Sequence, residues 1–379
     1  MLMSKVTNPD NNTMPTPRLL LPLILLGLLT LPATASATSE TWDQATGALV
    51  VTTDAGDVDL GIFGGWDKQP GLRVCGSNAS PTICPTHANV TSITITITTQ
   101  KPNFLIDLEN DSLLNGTSAA PTLLTVVGAS RARFTYRCSP AKTTQHRCTI
   151  TALGSGLDTN NDSQPDVVFT NTTLSDLHIT TGDGNDLVDL RRLTVPFAHA
   201  DLYETDTDMN AGNDRYYGTN KRDSVNLGTG HDTANLYAGN DSASGGLGTN
   251  TINAGPGNDT LNGTKNSTDR FYGGTGNDIL LMRSGNDRVY GGPGNDVVDH
   301  STGALWVNLG TGNDQVRHYQ GPFTGYGGPG NDYFAINYKG STGRNAHIDC
   351  GTGHDDLYAA YPHRKNCENI YFPNTPIGN

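Results

Sequence analysis

The chain has 379 residues, with 37 acidic against 24 basic side chains, a net charge of −13, and 45 glycines. That balance argues against nucleic acid and anionic membrane as partners and suits a bound cation. Glycine crowds the sequence after residue 180 while Leu, Ile, Phe and Met thin out there, which excludes a helical core and points to an all-β, turn-rich chain.

In chain order, residues 1–37 read as a cleavable secretory signal. Lys5 and Arg18 supply positive charge, and Ala35-Ser36-Ala37 offers a small-x-small cleavage site. The apolar run Leu19 to Leu31 between them falls short of the ~20 residues needed to span a bilayer. The expected product is secreted, starts near Thr38 and inserts no segment into a membrane. Residues 38–180 show short strand patterns. In Val90 to Thr98, Val90, Ile93, Ile95 and Ile97 alternate with hydroxyl residues, and shorter runs occur at Phe104–Leu108, Leu123–Val127, Arg133–Tyr136 and Asp166–Phe169. They fit a small β-rich domain with two local disulfides, or an irregular solenoid that leads into the glycine-rich half of the chain. The six cysteines fall as local pairs, Cys75 with Cys84, Cys138 with Cys148 and Cys350 with Cys367, and short-loop bridges are the simplest pairing. At the end of this region Asp158, Asn160, Asp162 and Asp166 alternate as oxygen donors do around one Ca²⁺. The segment resembles the short calcium loops of extracellular β-propellers, with Ser163 where glycine is usual.

From residue 182 the string Gly-x-Gly-Asn-Asp or a variant recurs. Copies end at Asp186, Asp214, Asp232, Asp241, Asp259, Asp278, Asp287, Asp296, Asp314, Asp332 and Asp355, mostly 9 or 18 residues apart, with steps of 28, 19 and 23 as exceptions. Weaker copies fill the gaps at Asp223, Asn250 and Asp269, and the units at Leu305 and Phe323 keep the length but lose the acid. Two residues after each Asp position stands an apolar residue, from Val188 and Tyr216 through Leu280 and Val298 to Leu357; only the unit at Phe323 places Gly325 there. This phase lock predicts a six-residue turn followed by a three-residue strand whose middle side chain points inward. Two units then make one coil, and coils stack at strand spacing of about 4.8 Å.

Alternate units fall on opposite edges of such a stack. One edge carries Asp223, Asp241, Asp259, Asp278, Asp296, Asp314 and Asp332. The other carries Asp214, Asp232, Asn250, Asp269, Asp287, Leu305 and Phe323 and is degenerate after Asp232. The expectation is one continuous column of acids and one edge largely free of metal, with Asp214, Asp232 and Asp287 kept as candidates.

Gly273 to Leu281 and Gly291 to Asp299 match Gly-Gly-x-Gly-x-Asp-x-apolar-x throughout. Residues 180–360 thereby resemble the repeats-in-toxin (RTX) calcium-binding family. The resemblance implies a parallel β-roll over 181–360 with a cap and tail at 361–379. It implies Ca²⁺ between successive turns, held by Asp carboxylates and backbone carbonyls. The ligands on the main edge would be Asp241, Asp259, Asp278, Asp296, Asp314 and Asp332, with Gly257, Gly276, Gly294, Gly312 and Gly330, for about five ions. Carboxylates roughly 5 Å apart repel by about 3 kcal/mol per pair at an effective dielectric near 20, so binding and folding should be coupled. A Cys350–Cys367 bridge would close the last coil.

No His-Glu-x-x-His and no Gly-x-Ser-x-Gly occurs, so neither metalloprotease nor lipase chemistry is expected. His231 and His354 stand where the turns place Asn and read as turn residues; Trp42, Trp66 and Trp306 read as core or cap. The sequence therefore predicts a secreted, monomeric, non-catalytic calcium-binding protein with a structural or adhesive role. Extracellular polysaccharide is the candidate macromolecular partner. The rival is a carbohydrate-active enzyme or accessory module.

Overall fold

The computed structural model describes residues 38–43, 48–53, 59–64, 72–75, 86–87, 92–97, 104–109 and 123–127, and most of 130–372. Within that last stretch, 139–147, 160–162, 164–166, 171, 198–204, 266, 337–345 and 360–362 lie outside the description. Residues 1–37, and with them the signal and its cleavage site, also lie outside it.

Every regular element among the described residues is a strand, and most pair in parallel. One face stacks Asp59–Gly64, Phe104–Glu109, Ser130–Arg137, Thr173–Thr180, Thr205–Asp208 and Asp223–Asn226, each parallel to the next. It continues through Ser242–Gly248 and Thr260–Gly263 as far as Asn369–Tyr371. The second face stacks Ala48–Thr53, Ser92–Ile97, Leu123–Val127 and Val167–Thr170. It then doubles back through the antiparallel Gly156–Asp158 into Thr149–Leu153. From there it resumes in parallel at Leu187–Asp189 and runs to His363–Lys365. Parallel pairing thus crosses residue 180 without a break.

The phase lock explains the core. In a strand, alternate side chains face opposite sides, and the apolar residues two after each Asp position, Val188 through Leu357, are all 3% exposed or less. The irregular steps do not disturb this. Val188 faces Tyr216 across a step of 28, Leu261 faces Leu280 across 19, and Phe334 faces Leu357 across 23. The extra residues are absorbed between strands. Gly325 also finds its reason: a Cβ there would lie 2.6 Å from the ring of Phe323, which fills the inward space itself.

Two of the expected disulfides are present. Cys138, just after Ser130–Arg137, is joined to Cys148, just before Thr149–Leu153, so this bridge links the two faces. Cys350 is joined to Cys367 across the last coils. Cys84, the expected partner of Cys75, lies outside the described residues.

Candidate metal centre

The turn aspartates form two columns, one along each edge. On the first edge each Asp accepts, through Oδ1, the backbone N–H of the Asp one coil earlier. Asp223, Asp241, Asp259, Asp278, Asp296, Asp314 and Asp332 donate in this way to Asp241, Asp259, Asp278, Asp296, Asp314, Asp332 and Asp355, at 2.7 to 2.9 Å. The last turn is finished by Glu368, whose Oε2 accepts the Asp355 N–H at 3.0 Å. The preceding Asn of each turn makes a second column of opposite polarity. The N–H groups of Asn258, Asn277, Asn295, Asn313 and Asn331 donate to the Asn Oδ1 of the coil before, at 2.7 to 2.8 Å. His354 donates its N–H to Asn331, and His231 its N–H to Asn213, so both histidines are turn residues.

These bonds use one carboxylate oxygen and leave the other stranded. Oδ2 of Asp241, Asp259, Asp278, Asp296, Asp314, Asp332 and Asp355 is buried without a hydrogen-bond partner. A buried polar atom in that condition is costly unless something else meets it. In the repeats of Asp278, Asp296 and Asp332 the space beside it is shaped by the first glycine, whereas Leu236, Ala254 and Leu309 hold that position in the repeats of Asp241, Asp259 and Asp314. A Cβ on Gly273 would come within 2.7 Å of both Asp278 Oδ2 and the Gly291 carbonyl oxygen of the next coil. A Cβ on Gly291 would strike Asp296 Oδ2 and the Leu309 oxygen in the same way, and one on Gly327 would strike Asp332 Oδ2 and the Cys350 oxygen. The glycines therefore keep open a cradle lined by a carboxylate from one coil and a carbonyl from the next. The fourth-position glycines Gly257, Gly276, Gly294, Gly312 and Gly330 line up as well. At Gly294, φ is 146°, a conformation L side chains rarely adopt, and a Cβ there would run into the Gly276 carbonyl. Those carbonyls thus lie directly against the neighbouring coil, with no side chain between.

Burial raises the acids of these columns. It lifts Asp241 to about 8, Asp259, Asp296 and Asp332 to about 7, and Asp314 to about 6, with Asp278 and Asp355 also moved upward. The N–H bonds pull in the other direction without cancelling the effect, and at Asp241, Asp259, Asp296 and Asp332 neighbouring aspartates add to the rise. Desolvated oxygens alone, from carboxylates and carbonyls in a flexible glycine frame, are the donor set a hard cation such as Ca²⁺ takes. Among the described residues no three His, Cys, Asp or Glu side chains gather into a conventional metal-binding group. That fits sites that draw on the main chain.

Four overlapping stretches, 210–243, 237–267, 244–280 and 264–298, match the RTX calcium-binding nonapeptide repeat. Residues 210–298 are RTX calcium-binding repeats. No curated protein and no solved structure matches the chain. The hydrogen-bond column of these RTX repeats extends past the matched span, through Asp314 and Asp332 to Asp355.

The second edge differs from expectation in where it changes. Its column runs unbroken from Asp186 through Asp214, Asp232, Asn250 and Asp269 to Asp287. Oδ2 of Asp214, Asp232 and Asp269 is stranded as on the first edge, and burial raises Asp214 to about 7 and Asp232 and Asp269 to about 6. A turn needs only an acceptor at its sixth position to continue the column, and Asn250 supplies one. The break comes at Asp287. Its Oδ2 meets His300 Nε2 at 3.1 Å, His300 Nδ1 meets His318 Nδ1 at 2.9 Å, and His318 Nε2 meets the Gly321 carbonyl at 3.1 Å. A carbonyl only accepts, so His318 carries its proton on Nε2 and accepts at Nδ1 from His300. His300 Nε2 then faces Asp287 Oδ2 with a proton between them. Burial moves His318 down to about 4, in keeping with a neutral ring. Imidazole thus stands where Asp287 was expected to face a metal ion. Beyond it Leu305 and Phe323 are 2% and 1% exposed and close the edge with apolar packing.

Asp223, the head of the first column, is also satisfied from within the protein. Its Oδ1 accepts from Thr205 Oγ1 at 2.6 Å and its Oδ2 from the Thr219 N–H at 2.7 Å. Of the loop at 158–166, Asp158 is buried and its Oδ2 accepts the Ser163 N–H at 2.9 Å. Ser163 holds φ at 67°, the conformation glycine would supply. Asn160, Asp162 and Asp166 lie outside the described residues. The sequence reading did not name Asp186, Asp269 and Asp355 among its candidate ligands, yet all three stand in the columns; their phase in the repeat was the available signal.

Proposed function

We propose that this protein is a secreted calcium-binding roll with a structural or adhesive, non-catalytic role. Ca²⁺ sits between successive coils, held by the free Oδ2 atoms of Asp241, Asp259, Asp278, Asp296, Asp314 and Asp332 and by glycine-segment carbonyls. About five ions occupy this edge. Asp214 and Asp232 serve a shorter column on the second edge, and Asp287 is excluded from it by His300. The observation that carries this reading is the run of buried carboxylate oxygens without partners, which at Asp278, Asp296 and Asp332 lie beside a carbonyl of the next coil. The bridges Cys138–Cys148 and Cys350–Cys367 support an oxidising compartment. Among the described residues no helix is long and apolar enough to cross a membrane.

Calorimetric calcium titration of the secreted chain, with circular dichroism in parallel, tests the proposal. At pH 8, chelation should abolish most of the strand signal of residues 180–360, and millimolar calcium should restore it cooperatively. A spectrum indifferent to chelator would overturn the reading.

A further inference from the structure

The two outer faces of the roll are unlike in chemistry. On the second face Arg270 and Arg288 stand side by side in register, both exposed. Among the described residues neither meets a carboxylate, whereas Arg191 and Lys365 on the same face are paired with Asp189 and Asp349. Next to the two arginines runs a row of rings. Tyr272 and Tyr290 stack with centroids 4.7 Å apart at 9°, and Trp306 comes next at 5.0 Å, turned by 53°. Tyr326 lies 5.8 Å beyond Trp306 and is 42% exposed. The row crosses four neighbouring strands, about 15 Å at the usual strand spacing. At the corresponding positions of the same coils on the first face stand Ile279, Val297, Gln315 and Leu281, Asp299, Arg317; that face has a ring row only in its last coils, Tyr333, Tyr358 and Tyr371, with no adjacent pair of cations beside it.

Two uncompensated guanidinium groups on a chain of net charge −13 need a reason. Stacked tyrosines cover one another's faces, but the turned Trp306 does not lie flat on its neighbours and leaves an amphipathic surface beside the cations. Guanidinium forks bind carboxylate and sulfate oxygens in bidentate fashion, and ring surface suits the C–H faces of sugars. We propose that this strip binds an acidic polysaccharide lying along the stacking direction, with Arg270 and Arg288 on its acid groups and Trp306 against a sugar ring. Duplex nucleic acid, with one charge per ~1.7 Å of axis, would be repelled far more strongly by the rest of the surface. The inference rests on the folded roll and goes beyond its proposed calcium-dependent structural role.

The test uses the whole secreted chain in saturating calcium, with circular dichroism confirming the fold of each variant. In that way a failure of the strip is distinguished from a failure of calcium binding. Dextran sulfate and neutral dextran are the probes, because they share a backbone and differ in charge. The expected result is salt-sensitive binding of dextran sulfate and not of dextran. Arg270→Ala/Arg288→Ala should weaken it about tenfold or more, and Trp306→Ala by a smaller factor, while Arg317→Ala on the opposite face leaves it unchanged. Equal binding by the double variant, equal binding of dextran, or tighter binding of single-stranded DNA or phosphatidylserine vesicles would overturn the proposal.

Discussion

The two edges of the roll solve one problem in two ways. Both must close a turn every coil, and both do so by giving the backbone N–H of one turn to a side-chain acceptor of the next. On the first edge that acceptor is a carboxylate all the way to Asp355, and each leaves a buried oxygen that calls for a cation. On the second edge the acids stop at Asp287, where a histidine proton takes the cation's place, and Leu305 and Phe323 finish the edge as ordinary core. The difference teaches that the fold does not require metal at a turn. It requires that whatever is buried there be satisfied, by an ion, a proton or apolar contact.

The comparison is sharpened most by cutting into each edge in turn. Leu305→Ala removes a fully packed side chain and should cost about 2–5 kcal/mol at saturating and at limiting calcium alike; a thermal melt series against calcium measures it, and a cost that varied with calcium would break the distinction. Asp278→Asn keeps the acceptor for the Asp259 N–H, as Asn250 does naturally, but removes the charge. Calcium affinity should fall about tenfold at the flanking sites, about 1.4 kcal/mol each, while the calcium-free form gains stability. Titration of both forms checks the two signs together.

Gly291→Ala is a subtler probe, because Gly291 has no positive φ to lose. Its Cβ would enter the cradle beside Asp296 Oδ2 and the Leu309 carbonyl. Weaker calcium binding is expected, with a smaller fall in the calcium-free melt at pH 5, because the Cβ also presses on the Leu309 backbone carbonyl. The smallest change to the molecule concerns protons. In the calcium-free fold, Asp241, Asp259, Asp296 and Asp332 are raised to about 7 or 8, against ~3.9 in an unfolded chain. The folded state then holds more protons between those limits. Calcium-free stability should be fully present below about pH 4 and be lost as pH rises through 7 to 8. In chelator the strand signal should survive and melt cooperatively at pH 5 and be largely lost already at pH 8.

Much of this was legible in the sequence because two signals were locked in phase. The Asp positions gave the turns, and the apolar residues two positions later, such as Leu280 and Val298, gave the inward faces. Other features were hidden for physical reasons. The motif required Gly, Asn and Asp together, whereas the column requires one acceptor, so Asn250 and Asp269 looked degenerate while they serve it. His300 and His318 sit on inward strand positions 18 residues apart, in register with Met282 and Ile336. Nothing local to them announces that their partner is the turn acid of the preceding coil. Residues 38–180 carry coils of unequal length, so their parallel pairing has no period to read.

Glu368 supplies the acceptor that a further aspartate would have offered, so the series has a built-in last step. A gene lengthening by duplication can add a whole 18-residue coil ahead of that step and leave every donor matched. A nine-residue duplication would move all later turns to the opposite side, setting carboxylates where Leu305 and Phe323 pack and leucine where the carboxylates stood. Growth of this molecule is therefore quantised in pairs of repeats.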